Sequence, residues 1–455
     1  MTYISIADFF LIPFYLVIIY VIAFKFRDKY YTDGHRLRPY FIPGLTVKII
    51  GAVAICIIYI FYFQSGDTLS YYDSAKTIND SFGESPLTWL RLITHTADPD
   101  NLNEGYLISK LYYYNNTSGY IVCVLGALIG KLCFTRLIGI AIIIASIAYT
   151  GIWALFICFI KMYPRLLKQS AIAVLFLPDT ALWGSALFKD TICMFALGWL
   201  IFFFFRLIRT EKKISSTIFF IIAGLLILAV KPYILIALLP ALLLRLITAI
   251  IGSKKTLFKK TLGLTMLILV GAFSLNTLKQ NITGNLSKMI LEDFTGIVTG
   301  FSNATFEISA EENGSGYSLG EIDGTVNGFV KKIVPAINVT FFRPYVWETD
   351  KLITKLSALE SLTLFLFFLY VILKARLAIF RYIFTDQNLF TFLLFSLIFA
   401  YVVGLTTSNF GTLSRFKIPC MPFFLFSLFI INGYCDRKKI KKNIVKKEEK
   451  SSITN

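Results

Sequence analysis

"MTYISIADFFLIPFYLVIIYVIAFKFRDK", residues 1–29, decides the class of this protein. An apolar run over residues 4–24 ends in the basic cluster Lys25, Arg27 and Lys29. A helix of roughly 17–25 apolar residues covers the hydrocarbon core of a bilayer. The stretch has no basic segment ahead of the apolar run and no small-residue cleavage site, so it reads as a retained first span. Apolar runs of the same kind recur near residues 41–63, 137–160, 170–180, 191–208, 215–231, 233–250, 261–279, 357–374, 389–406 and 417–434. With 56% apolar residues, 44 phenylalanines and only 16% charged residues, a soluble chain of 455 residues is excluded. The expected fold is all-α, a polytopic membrane helix bundle of about eleven transmembrane helices. Residues 1–434 are expected to form one transmembrane domain, and residues 435–455 a basic cytoplasmic tail.

The net charge of +18 does not call for nucleic acid as a partner. Much of the Lys and Arg lies in short connectors and in the tail "DRKKIKKNIVKKEEK", where the positive-inside rule places it. "KFRDKYYTDGHRLRPY", "KMYPRLLKQ", "RTEKK", "GSKKTLFKK", "KARLAIFRYIF" and the tail then share the cytoplasmic side. This alternation requires that "GYIVCVLGALIGKLC", residues 119–133, lies flat or re-enters without crossing. It puts the N-terminus outside and the C-terminus in the cytoplasm. It also leaves two large extracytoplasmic loops, residues 64–136 and 280–356, of which the second is too rich in Gly, Ser, Asn and Glu to span. The seven cysteines are scattered, without metal-ligand spacing, and read as small core residues. No internal repeat is visible.

Five polar clusters fall on the outer side in this topology. "SGDTLSYYDSA" carries Asp67, Tyr71 and Asp73 directly after the second span. "LPDTALWGSALFKDT", residues 177–191, interrupts two apolar runs with Asp179, Trp183, Lys189 and Asp190. Non-helical backbone at membrane depth is tolerated only against protein or water, so this turn is expected to line a wet cavity. "VKPY" places Lys231 at an apolar hairpin, and "FFRPYVWETDK" supplies Arg343, Trp347 and Glu348. "TSNFGTLSRFKIP" adds Asn409, Thr412 and Arg415 before the last span. Lys417 and Asp350 read as interfacial anchors, and Tyr112, Tyr113 and Tyr114 as an aromatic belt. Lys48 is an exception, a charge inside the second span.

A carboxylate among several cations suits chemistry on a phosphate-linked lipid. Arg and Lys clamp phosphate, a carboxylate deprotonates a hydroxyl or holds a divalent metal, and Tyr and Trp suit sugar faces at headgroup level. At these residues the chain resembles GT-C-type integral membrane glycosyltransferases and bacterial O-antigen or capsule polymerases. The D-x-x-x-Y-x-x-x-A pattern appears as Asp67, Tyr71 and Ala75. The P-x-x-x-x-W-x-S-x-x-x-K-[DE] segment appears as Pro178, Trp183, Ser185, Lys189 and Asp190, and a late loop with an arginine ahead of a proline-containing last span as Arg415. The match covers three short motifs. It departs from the usual arrangement by one extra N-terminal span and by the lack of a sizeable soluble C-terminal domain.

The resemblance implies transfer of a sugar from a polyprenyl-phosphate or -diphosphate-linked glycan to an acceptor on the extracytoplasmic face, with membrane lipid as the other partner. Asp67 would be the base or the carboxylate of a metal site, with Asp73 as the alternative; whether a metal is used stays open, and Mg or Mn are the candidates. Lys189, Lys231, Arg343 and Arg415 would hold phosphate, with Trp183, Tyr71, Asp190 and Glu348 shaping the site. A polymerase joining lipid-linked repeat units is the alternative, and a lipid-linked glycan transporter the rival from another class. A transporter needs charges along a path through the bilayer, whereas the spans here are nearly free of them. A membrane O-acyltransferase would need an intramembrane histidine, and His35 and His95 both lie in connectors.

Overall fold

The computed structural model describes residues 3–209, 212–250, 296, 298–300, 316–320, 325–349 and 351–453. The described residues are almost wholly helical, and the chain is a multi-pass membrane protein. It divides into two compact units, residues 1–161 with 174–235, and residues 162–173 with 236–455.

In the first unit α1 (Ile6–Tyr30) and α2 (Arg38–Ile57, extended by a π turn to Phe63) are spans, followed by α3 (Asp67–Glu84), α4 (Pro86–Ile93), α5 (Leu102–Ser109) and α6 (Thr117–Leu132). The loop expected at residues 64–136 therefore consists of helices. The apolar stretch expected not to cross is α6, sixteen residues long and below the length of a span. The span α7 (Leu137–Met162) precedes α8 (Leu167–Val174) and α9 (Pro178–Trp183), and the spans α10 (Lys189–Ile208), α11 (Lys213–Val230) and α12 (Pro232–Ile250) follow. The second unit contains nearly all of α8, most of α12, and α13 (Val326–Lys331), α14 (Ile333–Phe342), α15 (Leu352–Ala375), α16 (Ala378–Thr385), α17 (Gln387–Thr406), α18 (Phe410–Phe416) and α19 (Met421–Ile453). Here α15 and α17 are spans, while α18 and α19 form a pair bent by 69°.

Among the described residues, eight helices are long and apolar enough to cross, or nine with the bent pair. The expected span at 261–279 lies outside the described residues. The expected span at 170–180 is instead broken into α8 and α9. Pro178 is the cause: it has no N–H for the Val174 carbonyl, its ring would clash there, and it pushes Leu177 out of the helical region.

Two glycines set the packing of the first unit. A β-carbon at Gly198 of α10 would land on the Gly151 carbonyl of α7, and one at Gly51 of α2 on the Ala181 carbonyl of α9. Helices in lipid gain little from apolar burial and associate through such close backbone approach. Gly198→Leu is therefore expected to lower stability by about 1–3 kcal/mol through overpacking, read as a fall in thermal midpoint in detergent.

The α4–α5 segment is closed by a carboxylate. Glu104, 3% exposed, accepts from the Asp98 amide at 2.7 Å and from Arg91 at 2.9 Å. The Asp98 amide and the Arg91 guanidinium hold the Glu104 carboxyl below the usual carboxylate range, against the opposing effect of burial. A depressed carboxylate contributes stability above its unfolded pKa, about 4.3, and that contribution is lost as the pH falls through the folded value. Amide exchange in α5, corrected for the intrinsic pH effect, is expected to accelerate below about pH 4, and Glu104→Gln should remove that acceleration.

Candidate functional site

The site in the first unit starts at the turn out of α2. Gly66 has φ of 111°, a conformation open to glycine, and a β-carbon there would meet the Tyr59 ring at 2.7 Å. Asp67 follows as the first residue of α3, where the helix dipole favours a carboxylate. Asp67, Tyr71 and Ala75 lie at i, i+4 and i+8, so the pattern is one ridge of α3. Ala75 receives α6 at Gly126, where an added β-carbon would come within 3.2 Å. Tyr71, 2% exposed, stacks on Tyr113 with ring centroids 4.5 Å apart. The Tyr113 hydroxyl donates to Asp67 Oδ1 at 3.0 Å. Burial and the Asp67 carboxylate push the Tyr113 phenol upward, so it stays a donor.

A second set of groups joins this ridge. Asn79 of α3 donates to the Ala127 carbonyl of α6 at 2.9 Å, and Gly126 faces Ala75 as Gly130 faces Asn79, so α6 runs alongside α3 in the same direction and brings Ser118 to the Asp67 end. Lys189, at the start of α10, donates to Ser118 Oγ at 2.7 Å and lies within electrostatic reach of Asp67, Asp190 and Lys231. Lys231 caps the C-terminal end of α11 and pairs with Asp190 at 2.5 Å, with side-chain exposures of 7% and 1%. The short turn between α10 and α11 makes them antiparallel, so the start of α10 and the end of α11 share one end. Half-buried Asp67, Lys189, Tyr113 and Ser118 thus adjoin a buried Lys231–Asp190 pair.

Asp73 stands apart from this group. It lies six residues beyond Asp67, about two-thirds of a turn around the helix, and accepts from the Tyr3 hydroxyl at 3.1 Å. Burial raises its carboxyl, opposed by the Tyr3 hydrogen bond.

The turn at 179–190 differs from its expected form. Residues 178–183 are helical, and residues 184–188 are irregular but enclosed by protein. Lys48 donates to the Gly184 carbonyl, Ser185 to Ala181 and Thr191 to Ala186, so three carbonyls of this segment are satisfied by protein groups. The intramembrane lysine of α2 thus has a structural partner. Trp183, 2% exposed, is enclosed with this segment.

The second unit holds the remaining expected residues. Arg343 grips Glu348 through Nε at 2.9 and 3.0 Å and through a short Nη2 contact, with Tyr317 and Phe410 rings 5.4 and 5.2 Å from its guanidinium. Its charge is therefore already matched by a carboxylate. Arg415 occupies the last turn of α18. Lys417, expected as an interfacial anchor, is wholly buried at the α18–α19 bend and donates to Ser361 Oγ at 3.3 Å. Asp350 lies outside the described residues.

Tyr113, Ser118 and Lys417 are the residues that sequence reasoning passed over. A tyrosine triplet resembles an interfacial belt, and no local signal marks the one hydroxyl that meets Asp67. Among the described residues no three His, Cys, Asp or Glu side chains gather as a metal site. A divalent metal at Asp67, which the sequence leaves open, would have this carboxylate and a substrate phosphate as its ligands rather than an all-protein cage. No protein-family model, curated protein or solved structure matches the chain.

Proposed function

We propose that the protein is an integral membrane glycosyltransferase that moves a sugar from a polyprenyl-phosphate-linked donor to an acceptor on the extracytoplasmic face of a bacterial inner membrane. The observation that carries this reading is the gathering of Asp67 and Lys189, from segments 122 residues apart, with Tyr113 and Ser118 at one end of the helices. Asp67 takes the proton of the acceptor hydroxyl as general base, and Tyr113 orients its second oxygen. Lys189 faces the phosphate that departs with the lipid and stabilises the charge that develops on it. Lys231, its charge matched by Asp190, positions the start of α10 and with it Lys189.

The test is a mass profile of lipid-linked and surface glycans in the native host, comparing wild type, a deletion, and the deletion complemented with Lys189→Met. Accumulation of an outer-leaflet precursor lacking one sugar supports the transferase. Loss of chain length with intact repeat units supports the polymerase instead. Unchanged glycans in the deletion would remove both.

A further inference from the structure

In the second unit a cavity of about 460 Å³ opens where three span ends meet: the turn after α7, the start of α17 and the end of the apolar part of α19. This lies within the size range of small-ligand sites, about 300–1,000 Å³. Its wall includes Tyr163, Arg165, Asp386, Asn388, Tyr434 and Arg437. We infer that this cavity binds a phosphate-bearing anion, with the headgroup of an anionic membrane lipid as its natural source.

The acidic group in the wall is already saturated. Asp386 Oδ2 accepts from the Tyr163 and Tyr434 hydroxyls at 2.8 and 2.5 Å, and Oδ1 from the amides of Asn388 and Leu389 at 2.9 and 3.1 Å. Four donors leave it little capacity to attract a cation or repel an anion. The basic groups are in the opposite condition. Arg165 and Arg437 are exposed, and neither forms an ion pair with another described residue. The Arg437 guanidinium rests 5.8 Å from the Tyr434 ring centre, which holds it at the cavity wall. Asn388 accepts from Arg245 Nε at 3.1 Å through Oδ1, leaving its amide hydrogens as donors.

Two guanidiniums and an amide donor match a phosphate, which guanidinium contacts in bidentate fashion. Basic pockets between span ends are where anionic headgroups bind. The sequence after Arg437 is rich in lysine, so the chain beyond the site has the same sign of charge. This site is independent of the transfer reading.

The experiment uses the full chain in a neutral detergent, titrated with phosphatidylglycerol, phosphatidylcholine or inorganic phosphate, with binding followed by native mass spectrometry. Phosphatidylglycerol is expected to bind at least about tenfold more tightly than phosphatidylcholine. Arg165→Gln with Arg437→Gln should weaken it by about tenfold or more, and each single variant by less. Displacement by inorganic phosphate at the same site would name a soluble phosphate as the source, and its failure to compete a lipid. The tail pair Lys441→Gln and Lys442→Gln should leave the affinity within about threefold. Wild-type affinity in the double arginine variant, or equal loss in the tail variant, would overturn the site. Arg165→Lys with Arg437→Lys preserves charge without the bidentate fork and gives the same reading should the glutamine pair fold poorly.

Discussion

Asp67→Asn is expected to lower sugar transfer by about 10²–10⁴-fold, the contribution of a general base. The amide keeps the size of the side chain and still accepts from Tyr113, so the helix start and its stacked tyrosines should persist. What it loses is the ability to take a proton. Asp73→Asn is the matched control, because it lies on another side of the same helix and binds Tyr3. Burial raises the Asp73 carboxyl. A raised carboxyl favours the neutral folded form, so its folded state loses stability as the pH rises from the unfolded pKa through the folded one. An asparagine there mimics the neutral form and should leave both transfer and thermal midpoint at neutral pH close to wild type. Transfer would be measured with purified protein and a polyprenyl-phosphate sugar, as product per enzyme. The assignment moves to Asp73 if its variant is the inactive one, and base catalysis by either residue is abandoned if both turn over normally.

Lys231→Met should cost about 3–5 kcal/mol of stability, the largest structural effect expected in the first unit. It leaves the Asp190 carboxylate, 1% exposed, without the ammonium 2.5 Å away. Burying an ion without its partner is far more costly than replacing both partners by apolar groups. The double variant Lys231→Met with Asp190→Leu should therefore recover most of the loss. The readouts are thermal midpoint in detergent and the fraction of chain eluting as a single species. A single variant as stable as wild type would show that the pair is not needed to hold α10 and α11. A double variant no better than the single would show that the two charges act separately.

The candidate site was partly legible. Asp67, Tyr71, Lys189, Asp190 and Lys231 could be picked because charge beside an apolar run is unusual and costly. The sequence ranks Asp67 first, because it follows a glycine at the end of a span, and keeps Asp73 as the alternative, since both lie in one short polar segment and only the helical rotation separates their surroundings. Arg343 and Glu348 were read as independent site groups, yet the four residues between them fold the two into a bidentate pair. Lys417 looked like an anchor because it sits at the edge of the last span, but the bend between α18 and α19 turns it inward.

By itself the sequence determined the membrane class, the helical fold and the position of nearly every described span. Bilayer insertion responds to apolarity summed over a local window, so consecutive residues contain that information. Pro178, which divides a short apolar run into α8 and α9, shows how one residue overrides that sum. Only the tertiary structure decided which polar groups meet. Tyr113 reaches Asp67 across 46 positions, Lys231 reaches Asp190 across 41, and Lys48 reaches Gly184 across 136. Those meetings depend on how helices turn and pack against one another, and side-chain pairing over a few ångströms leaves no trace in local composition.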